Sequence, residues 1–105
     1  MIWWVCLLVL SVARGLPAQE LEGEVRLVVR DPSGAALIAH VKLASLLTPG
    51  AQWESDTDHG GRWRARHLPF GPYWLEVSHA SFAPYRSRIE IRSEIPQVRE
   101  VTLAL

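Results

Sequence analysis

The chain has 105 residues, and since domains most often contain about 100 to 150 residues, it has room for one folded core and not for two. Lysine and arginine together number 11, as do aspartate and glutamate, which excludes a globally basic protein drawn to nucleic acid or anionic membranes. Hydrophobic residues make up 49% of the chain, which excludes an intrinsically disordered protein.

The N-terminal segment is composed differently from the rest of the chain. Residues 2–13 are almost wholly apolar, and small residues follow, including Gly15 and Ala18. This pattern is typical of a secretory signal peptide. The apolar run is about half the ~20 residues that a membrane-spanning helix needs, which favours a cleaved leader over an anchor. The sequence therefore predicts a signal peptide over 1–18, with cleavage after Gly15 or Ala18, and a mature domain over 19–105.

The only cysteine, Cys6, lies inside this predicted leader. The residues before it include two tryptophans rather than the small residue that a lipoprotein cleavage site requires, which argues against a lipid anchor on Cys6. The mature chain then contains no cysteine, so its fold depends on packing and not on disulfides.

Beyond Gly23 the apolar residues recur with a period of two, which in a strand places them all on one face. A first strand carries Val25, Leu27 and Val29 on one face and stops at the turn 31–34, Asp-Pro-Ser-Gly. A second strand is predicted from 37 to 46. A short third strand is centred on Trp53, and the polar turn 56–61 follows it.

The second half of the chain continues the same alternation. In the fourth strand Trp63 and Ala65 alternate with arginines. Residues 68–72, Leu-Pro-Phe-Gly-Pro, form a tight connection to a fifth strand over 73–78, in which Tyr73, Leu75 and Val77 point one way and Trp74, Glu76 and Ser78 the other. The sixth strand has Ile89 and Ile91 on its apolar face. The seventh has Val101, Leu103 and Leu105.

Seven short strands, each with one apolar face, predict an all-β sandwich of two antiparallel sheets. No stretch reads as a helix. A domain of this size buries little more than about 60% of its unfolded surface, so each inward side chain matters. We expect Trp63, Tyr73 and Leu75 to anchor the core.

Four segments, taken in order, carry a family resemblance. They are Gly-Glu-Val at 23–25, Asp-Pro-Ser-Gly-Ala-Ala-Leu at 31–37, Thr-Asp-His-Gly-Gly-Arg-Trp at 57–63 and Leu-Pro-Phe-Gly-Pro-Tyr-Trp-Leu-Glu-Val at 68–77. The chain resembles the carboxypeptidase regulatory-like domain, a transthyretin-like sandwich with Greek-key connections. The Leu-Pro-x-Gly-x-Tyr segment is expected to form a hairpin in this pattern.

The resemblance implies an accessory role without catalysis. Such domains accompany metallocarboxypeptidases, form N-terminal extensions of TonB-dependent outer-membrane receptors, and belong to a broader group of carbohydrate-binding-like folds. Together with the predicted leader, the resemblance implies an exported protein, periplasmic or associated with the outer membrane, whose partner is an envelope protein or an outer-membrane receptor, with carbohydrate as the alternative ligand. The oligomeric state is left open.

Two tryptophans are the candidate ligand or partner contacts. Alternation places Trp74 opposite the core-facing Tyr73, so its indole is available to stack on a sugar ring or to anchor a partner protein. Trp53 is the second candidate. The competing interpretation is that Trp74 covers an arginine stem or a sheet edge.

Metal and cofactor sites are not predicted. Asp56, Asp58 and Gly61 copy the start of a calcium loop, but its twelfth position is His67 where a bidentate glutamate is required. Polar residues that satisfy backbone groups in a tight turn explain the same segment. The histidines show no pairing typical of zinc ligands; they are His40, His59, His67 and His79.

Nucleic-acid binding and catalysis are likewise not predicted. The arginines at 62, 64, 66, 86, 88 and 92 are interpreted as solvated strand faces, because an exported protein seldom meets nucleic acid. The transthyretin-like fold includes a hydrolase of a purine breakdown product, but its C-terminal Tyr-Arg-Gly-Ser signature is missing. The segment 85–87, Tyr-Arg-Ser, lies within the chain and does not replace it.

Overall fold

A computed structural model describes residues 21–105, so the predicted leader over 1–18 lies outside the described residues. This part of the chain is all-β, and no helix within it is long and apolar enough to span a membrane. The strands are β1 (Glu22–Arg30), β2 (His40–Ser45), β3 (Gln52–Asp56), β4 (Arg62–Pro69), β5 (Gly71–Ser78), β6 (Tyr85–Ile91) and β7 (Gln97–Thr102).

The seven strands form two sheets. Sheet A has three strands in the order β4-β1-β7, and sheet B has four in the order β3-β2-β5-β6. The predicted pair of sheets is confirmed, but the expectation of antiparallel pairing throughout is corrected at one place, because β7 pairs parallel to β1. Residues 92–96 carry the chain from β6 in sheet B across to sheet A. A crossover of this kind, unlike a hairpin, allows β7 to run in the direction of β1.

The inward faces of both sheets meet in one core, which confirms the period-two pattern. The predicted anchors are buried, with exposed fractions of 6% for Trp63, 1% for Tyr73 and 0% for Leu75. The expectation for Leu105 is wrong: β7 ends at Thr102, and Leu105 is 89% exposed. Alternation predicts burial only while the chain stays in the sheet, and Leu105 lies past its end.

Strand β2 begins at His40 rather than at the predicted Leu37. The segment before it is held by the buried side chain of Thr57, whose Oγ1 accepts a hydrogen bond of 2.9 Å from the Ala39 amide and donates one of 2.6 Å to the Leu37 carbonyl. The Thr57 amide in turn donates to the Ala39 carbonyl at 2.9 Å. Because these backbone groups bond to Thr57, they are satisfied without a strand ladder.

The segment expected to be a hairpin is instead a corner between the sheets, since β4 belongs to sheet A and β5 to sheet B. The Tyr73 hydroxyl closes this corner with a hydrogen bond of 2.6 Å to the Pro69 carbonyl. Gly71, at φ 144°, provides the sharp change of direction. The two rigid rings of the prolines at 69 and 72 flank it.

A β-bulge precedes this corner in β4. Gly23 pairs with Leu68 while Val25 pairs with Ala65, so Glu24 lies opposite two residues, Arg66 and His67. His67 adopts the left-handed conformation with φ 58°. The extra residue restores the alternation, and Ala65 and Leu68 both face the core even though they are three positions apart.

Candidate binding surface

The outer face of sheet B carries Trp74, which pairs in register with Ala44 on β2 and Arg88 on β6. Its indole is half-buried. The guanidinium carbon of Arg86 lies 4.0 Å from the centroid of the Trp74 ring. A cation at this distance over an indole is attracted by the ring's negative face. The structure thus places an arginine on Trp74, as the competing interpretation of the sequence expected.

Trp53 lies on the opposite side of the same sheet. It pairs with the buried Leu43, so it belongs to the inner face. Its ring meets Tyr73 edge-on, with centroids 5.9 Å apart and planes at 63°, and it packs half-buried against the core. The two candidate tryptophans therefore do not form one binding platform.

Charged side chains share this outer face with Trp74. The His40 ring lies between two carboxylates of β3, with Nε2 2.7 Å from Glu54 Oε1 and Nδ1 3.0 Å from Asp56 Oδ1. Hydrogen bonding, first to Glu54 and then to Asp56, raises the pKa of His40 above its usual range. Arg86 also pairs with Glu76 at 3.3 Å. This face is polar and largely self-neutralised.

The two aspartates of the turn 56–61 have different partners. Asp58 Oδ1 accepts hydrogen bonds of 2.9 Å from the amides of both Gly60 and Arg62, as in an Asx turn. Asp56 faces His40 on sheet B. Within residues 21–105 no three His, Cys, Asp or Glu side chains are grouped as metal ligands would be. The structure shows Asp58 in the role of a turn former.

The arginines singled out in the sequence do not form one stripe. Arg62, Arg64 and Arg66 lie on the outer face of sheet A, whereas Arg86 and Arg88 lie on the outer face of sheet B. The sequence reasoning overlooked that β1 adds its own arginines to sheet A. The members of this group, the arginine face, are Arg26, Arg30, Arg62, Arg64 and Arg66. The two arginines of β1, Arg26 and Arg30, could have been found from the sequence, because they occupy polar positions of the β1 alternation.

Glu24 is the carboxylate at the centre of the arginine face. Its oxygens lie 2.5 Å from Arg26 Nε and 3.6 Å from the Nε atoms of both Arg64 and Arg66. The hydrogen bond from Arg26, followed by the charges of the three arginines, lowers the pKa of Glu24. Glu24 thus stays ionised but is shared among three cations.

A depression opens on the arginine face beside Glu24. Its rim carries Arg26, Arg62 and Arg64, and Val28 and Val98 contribute apolar surface. Asp58 lines one end. The depression is shallow and open to solvent, so it suits a surface group of a larger partner better than an enclosed small molecule.

Comparison with known proteins identifies the family and the fold. The major pilin subunit BcpA of Bacillus cereus superposes with a TM-score of 0.67 at 18% identity, over 78% of this chain and 28% of the pilin. Catechol 1,2-dioxygenase from Acinetobacter sp. superposes with a TM-score of 0.66 at 9% identity, over 87% of this chain and 55% of the enzyme. At such identities the likeness extends to the fold alone.

A putative carbohydrate binding protein from Pseudomonas aeruginosa is similar over more of its own length. It superposes with a TM-score of 0.54 at 16% identity, over 81% of this chain and 90% of that one. No curated protein matches the chain. The model of the carboxypeptidase regulatory-like domain matches residues 24–105, nearly all of the described chain. The chain therefore belongs to the carboxypeptidase regulatory-like domain family.

Proposed function

We propose that this protein is a non-enzymatic interaction module of the bacterial cell envelope, acting in the manner of the N-terminal extension of a TonB-dependent outer-membrane receptor. The observation that carries the proposal is the family match over 24–105, because domains of this family are expected to act as accessory modules of larger proteins. The predicted leader over 1–18 supports an exported location, periplasmic or at the outer membrane.

Two serine hydroxyls of the described chain are engaged in structural hydrogen bonds. The Ser33 hydroxyl donates to Asp31 at 2.6 Å inside a turn, and the Ser55 hydroxyl accepts a hydrogen bond of 2.8 Å from the Trp63 indole. Both hydroxyls therefore serve the fold. A nucleophile would instead require an adjacent base oriented by a third group.

Strand β7 offers an accessible contact surface. It is an edge strand of sheet A, paired with β1 along one side only within the described residues. Val98 on its outer face is 69% exposed, and Ile95 just before it is 77% exposed. Edge strands are common sites for partner segments, because their unpaired backbone groups and apolar side chains are accessible.

Photocrosslinking from defined positions tests this function. The chain with its leader is expressed in a bacterium with a photoreactive phenylalanine analogue at Val98, or at Ala44 on the outer face of sheet B as the matched control. We expect export and an adduct with an outer-membrane protein from position 98, and a weaker one or none from position 44. A chain that stays in the cytoplasm, or no adduct from either position, would contradict the proposal.

Carbohydrate binding through Trp74 is the second candidate, favoured by the likeness to the Pseudomonas protein that is described as a putative carbohydrate binding protein. Because Arg86 occupies the Trp74 ring at 4.0 Å, a sugar stacks there only after the guanidinium moves. Glycan-array binding should then increase in Arg86→Ala and disappear in Trp74→Ala. Arg88→Ala is the matched control, since Arg88 neighbours Trp74 in register. Equal binding by all variants would exclude Trp74 as the site.

A further inference from the structure

The outer face of sheet A has an excess of positive charge that the neutral composition conceals. It carries the five arginines of the arginine face against three glutamates, Glu22, Glu24 and Glu100. The outer face of sheet B carries one lysine and two arginines against four carboxylates; these residues are Lys42, Arg86, Arg88, Glu54, Asp56, Glu76 and Glu90. The strands thus place an excess of positive charge on sheet A, whereas the outer face of sheet B is close to neutral.

The arrangement on sheet A includes a pairing that does not help the fold. Arg26 on β1 lies directly opposite Arg64 on β4. Like charges directly opposite one another across a ladder are destabilising. Glu24 relieves part of the repulsion, but one carboxylate is shared by three guanidinium groups. A local feature that opposes the fold is expected where it serves a function.

Arg62 is the least neutralised member of the face. No carboxylate within residues 21–105 lies within ion-pair distance of its guanidinium. Asp58 is near, lining the same depression, but its Oδ1 is bonded to the amides of Gly60 and Arg62. The Arg62 guanidinium therefore remains available to a carboxylate from outside the described chain.

Apolar side chains lie among these cations. Val98 pairs in register with Arg26 and is 69% exposed, and Val28 pairs with Arg62 and is half-buried. A simple polyanion has no apolar groups to cover these valines. A polypeptide segment with acidic and apolar side chains has both, and its alternate residues in an extended conformation lie about 6.6 Å apart, the spacing of Arg62 and Arg64 along β4.

We propose that the arginine face binds an acidic segment of a partner protein, whose carboxylates pair with Arg62, Arg64 and Arg26 and whose apolar side chains cover Val28 and Val98. The inference rests on the proposed function, in that it gives the chemistry of the envelope partner. Arginine suits this role because its planar fork pairs carboxylates in two-point geometry. Complementary charge sets the specificity and the association rate of such a contact.

Titration of the purified chain with short peptides tests the site. The probes are an extended peptide that carries glutamate and valine on one face and serine at the positions between them, the same peptide with glutamine for glutamate, and inorganic polyphosphate. We expect the glutamate peptide alone to shift the backbone resonances of Arg26, Arg62, Arg64 and Val98 in NMR spectra. Its affinity should fall as salt is raised, because the partners are solvent-exposed charges.

Matched pairs of variants separate this site from general electrostatics. The double variant Arg62→Gln, Arg64→Gln should weaken binding by about tenfold or more, as expected when two charge-assisted contacts are lost. The pair Arg86→Gln, Arg88→Gln removes the same charge from sheet B and should leave the dissociation constant within about twofold. Val98→Thr keeps the shape and should weaken the peptide selectively.

Two results would overturn the proposal. Equal losses in both arginine pairs would show that only net charge matters, and binding of polyphosphate as tight as that of the peptide, insensitive to Val98→Thr, would show an anion site without polypeptide character. A crosslinked outer-membrane partner that persists in Arg62→Gln, Arg64→Gln would leave the proposed function standing and reject the arginine face. A chain that is not exported would reject the proposed function, and the peptide titration would still decide whether the arginine face binds acidic segments.

Discussion

The Tyr73 hydroxyl donates a hydrogen bond of 2.6 Å to the carbonyl oxygen of Pro69, four residues earlier, and so fastens β5 of sheet B to the end of β4 in sheet A. The Tyr73 side chain is 1% exposed, and burial raises its pKa. A similar hydrogen bond, from a tyrosine hydroxyl to the backbone a few residues earlier, occurs at a strand corner of immunoglobulin-type sandwiches. The ring also contacts Trp53, so one side chain joins corner and core.

Removing only this hydroxyl measures how much the hydrogen bond at the corner contributes to stability. Tyr73→Phe is expected to lower the free energy of unfolding by about 1 kcal/mol, because the Pro69 carbonyl loses its partner while the ring stays packed. Chemical denaturation measures the change. Tyr85→Phe is the matched control, since Tyr85 packs half-buried against the same core and its hydroxyl has no hydrogen bond within residues 21–105. Equal effects of the two substitutions would contradict the role of the corner.

The indole of Trp63 is the largest aromatic contribution of sheet A to the core. It is 6% exposed, and its Nε1 donates to Ser55 Oγ at 2.8 Å. Trp63→Ala should cost about 3 to 5 kcal/mol in unfolding free energy, from lost burial and the cavity left behind. Trp74→Ala, on the solvent side of sheet B, should cost well under half as much. A larger loss for Trp74 would contradict the assigned faces.

Gly61 lies where the turn 56–61 packs against β1. The Val29 amide donates to the Gly61 carbonyl at 2.7 Å, and a methyl group on Gly61 would fall against the Val29 carbonyl oxygen. Its φ is 71°. Gly61→Ala is therefore expected to cost clearly more than the about 1 to 2 kcal/mol of backbone strain alone.

Gly34→Ala provides the control for strain without collision. Gly34 has φ 90°, and nothing lies within 4 Å of an added methyl group. The free energy of unfolding should therefore fall only by the cost of backbone strain, about 1 to 2 kcal/mol. Thermal unfolding of the two variants compares them directly. Similar melting temperatures would mean that the contact with Val29 adjusts at little cost.

His40 makes the stability of the domain depend on pH. Its pKa is raised above the ordinary 6.5, first by the hydrogen bond to Glu54 and then by that to Asp56. A group whose pKa is raised by folding contributes stability that is fully present below pH 6.5 and is lost as the pH rises through the folded pKa. Two measurements check the prediction: NMR titration of the His40 ring, and melting temperatures from below pH 6.5 to above the folded pKa.

His40→Gln should remove that pH-dependent step. His59→Gln is the control, because within residues 21–105 His59 has no carboxylate at ion-pair distance. The control should retain the loss of melting temperature above pH 6.5 that the native chain shows. A native chain whose stability rises through this interval would show that His40 is not protonated preferentially in the folded state.

The sequence predicted the elements whose causes are local. Alternation in β1, β4 and β5 identified the inward residues, because a pleated strand sends every second side chain to one side. The turn at Asp31 was predicted for the same kind of reason, and its carboxylate accepts hydrogen bonds from the amides of Ser33 and Ala35 at 2.9 and 3.0 Å. The family resemblance depended on the order of such turns.

Boundaries and surfaces were harder to predict. The bulge at His67, the burial of Thr57 and the exposure of Leu105 depend on which strand lies opposite, and this is not written in any one segment. Strand alternation predicted that the Trp74 side chain lies on the outer face of the sheet. The arginine that covers it, Arg86, comes from β6 and could not be predicted in this way. Parity alone placed Trp53 on no particular side, since its strand is short and its neighbours are polar.

By itself, then, the sequence determined that the chain is all-β, which residues of most strands face inward, and which turns join them, because these properties arise from dihedral preferences and a period of two within one segment. Only the tertiary structure decided the strand order, the parallel pairing of β7 with β1, and the gathering of five arginines on one face of sheet A. Those features arise when segments that are distant in the sequence become neighbours. The charge of a face is the sum of contributions from such strands, so no single segment predicts it.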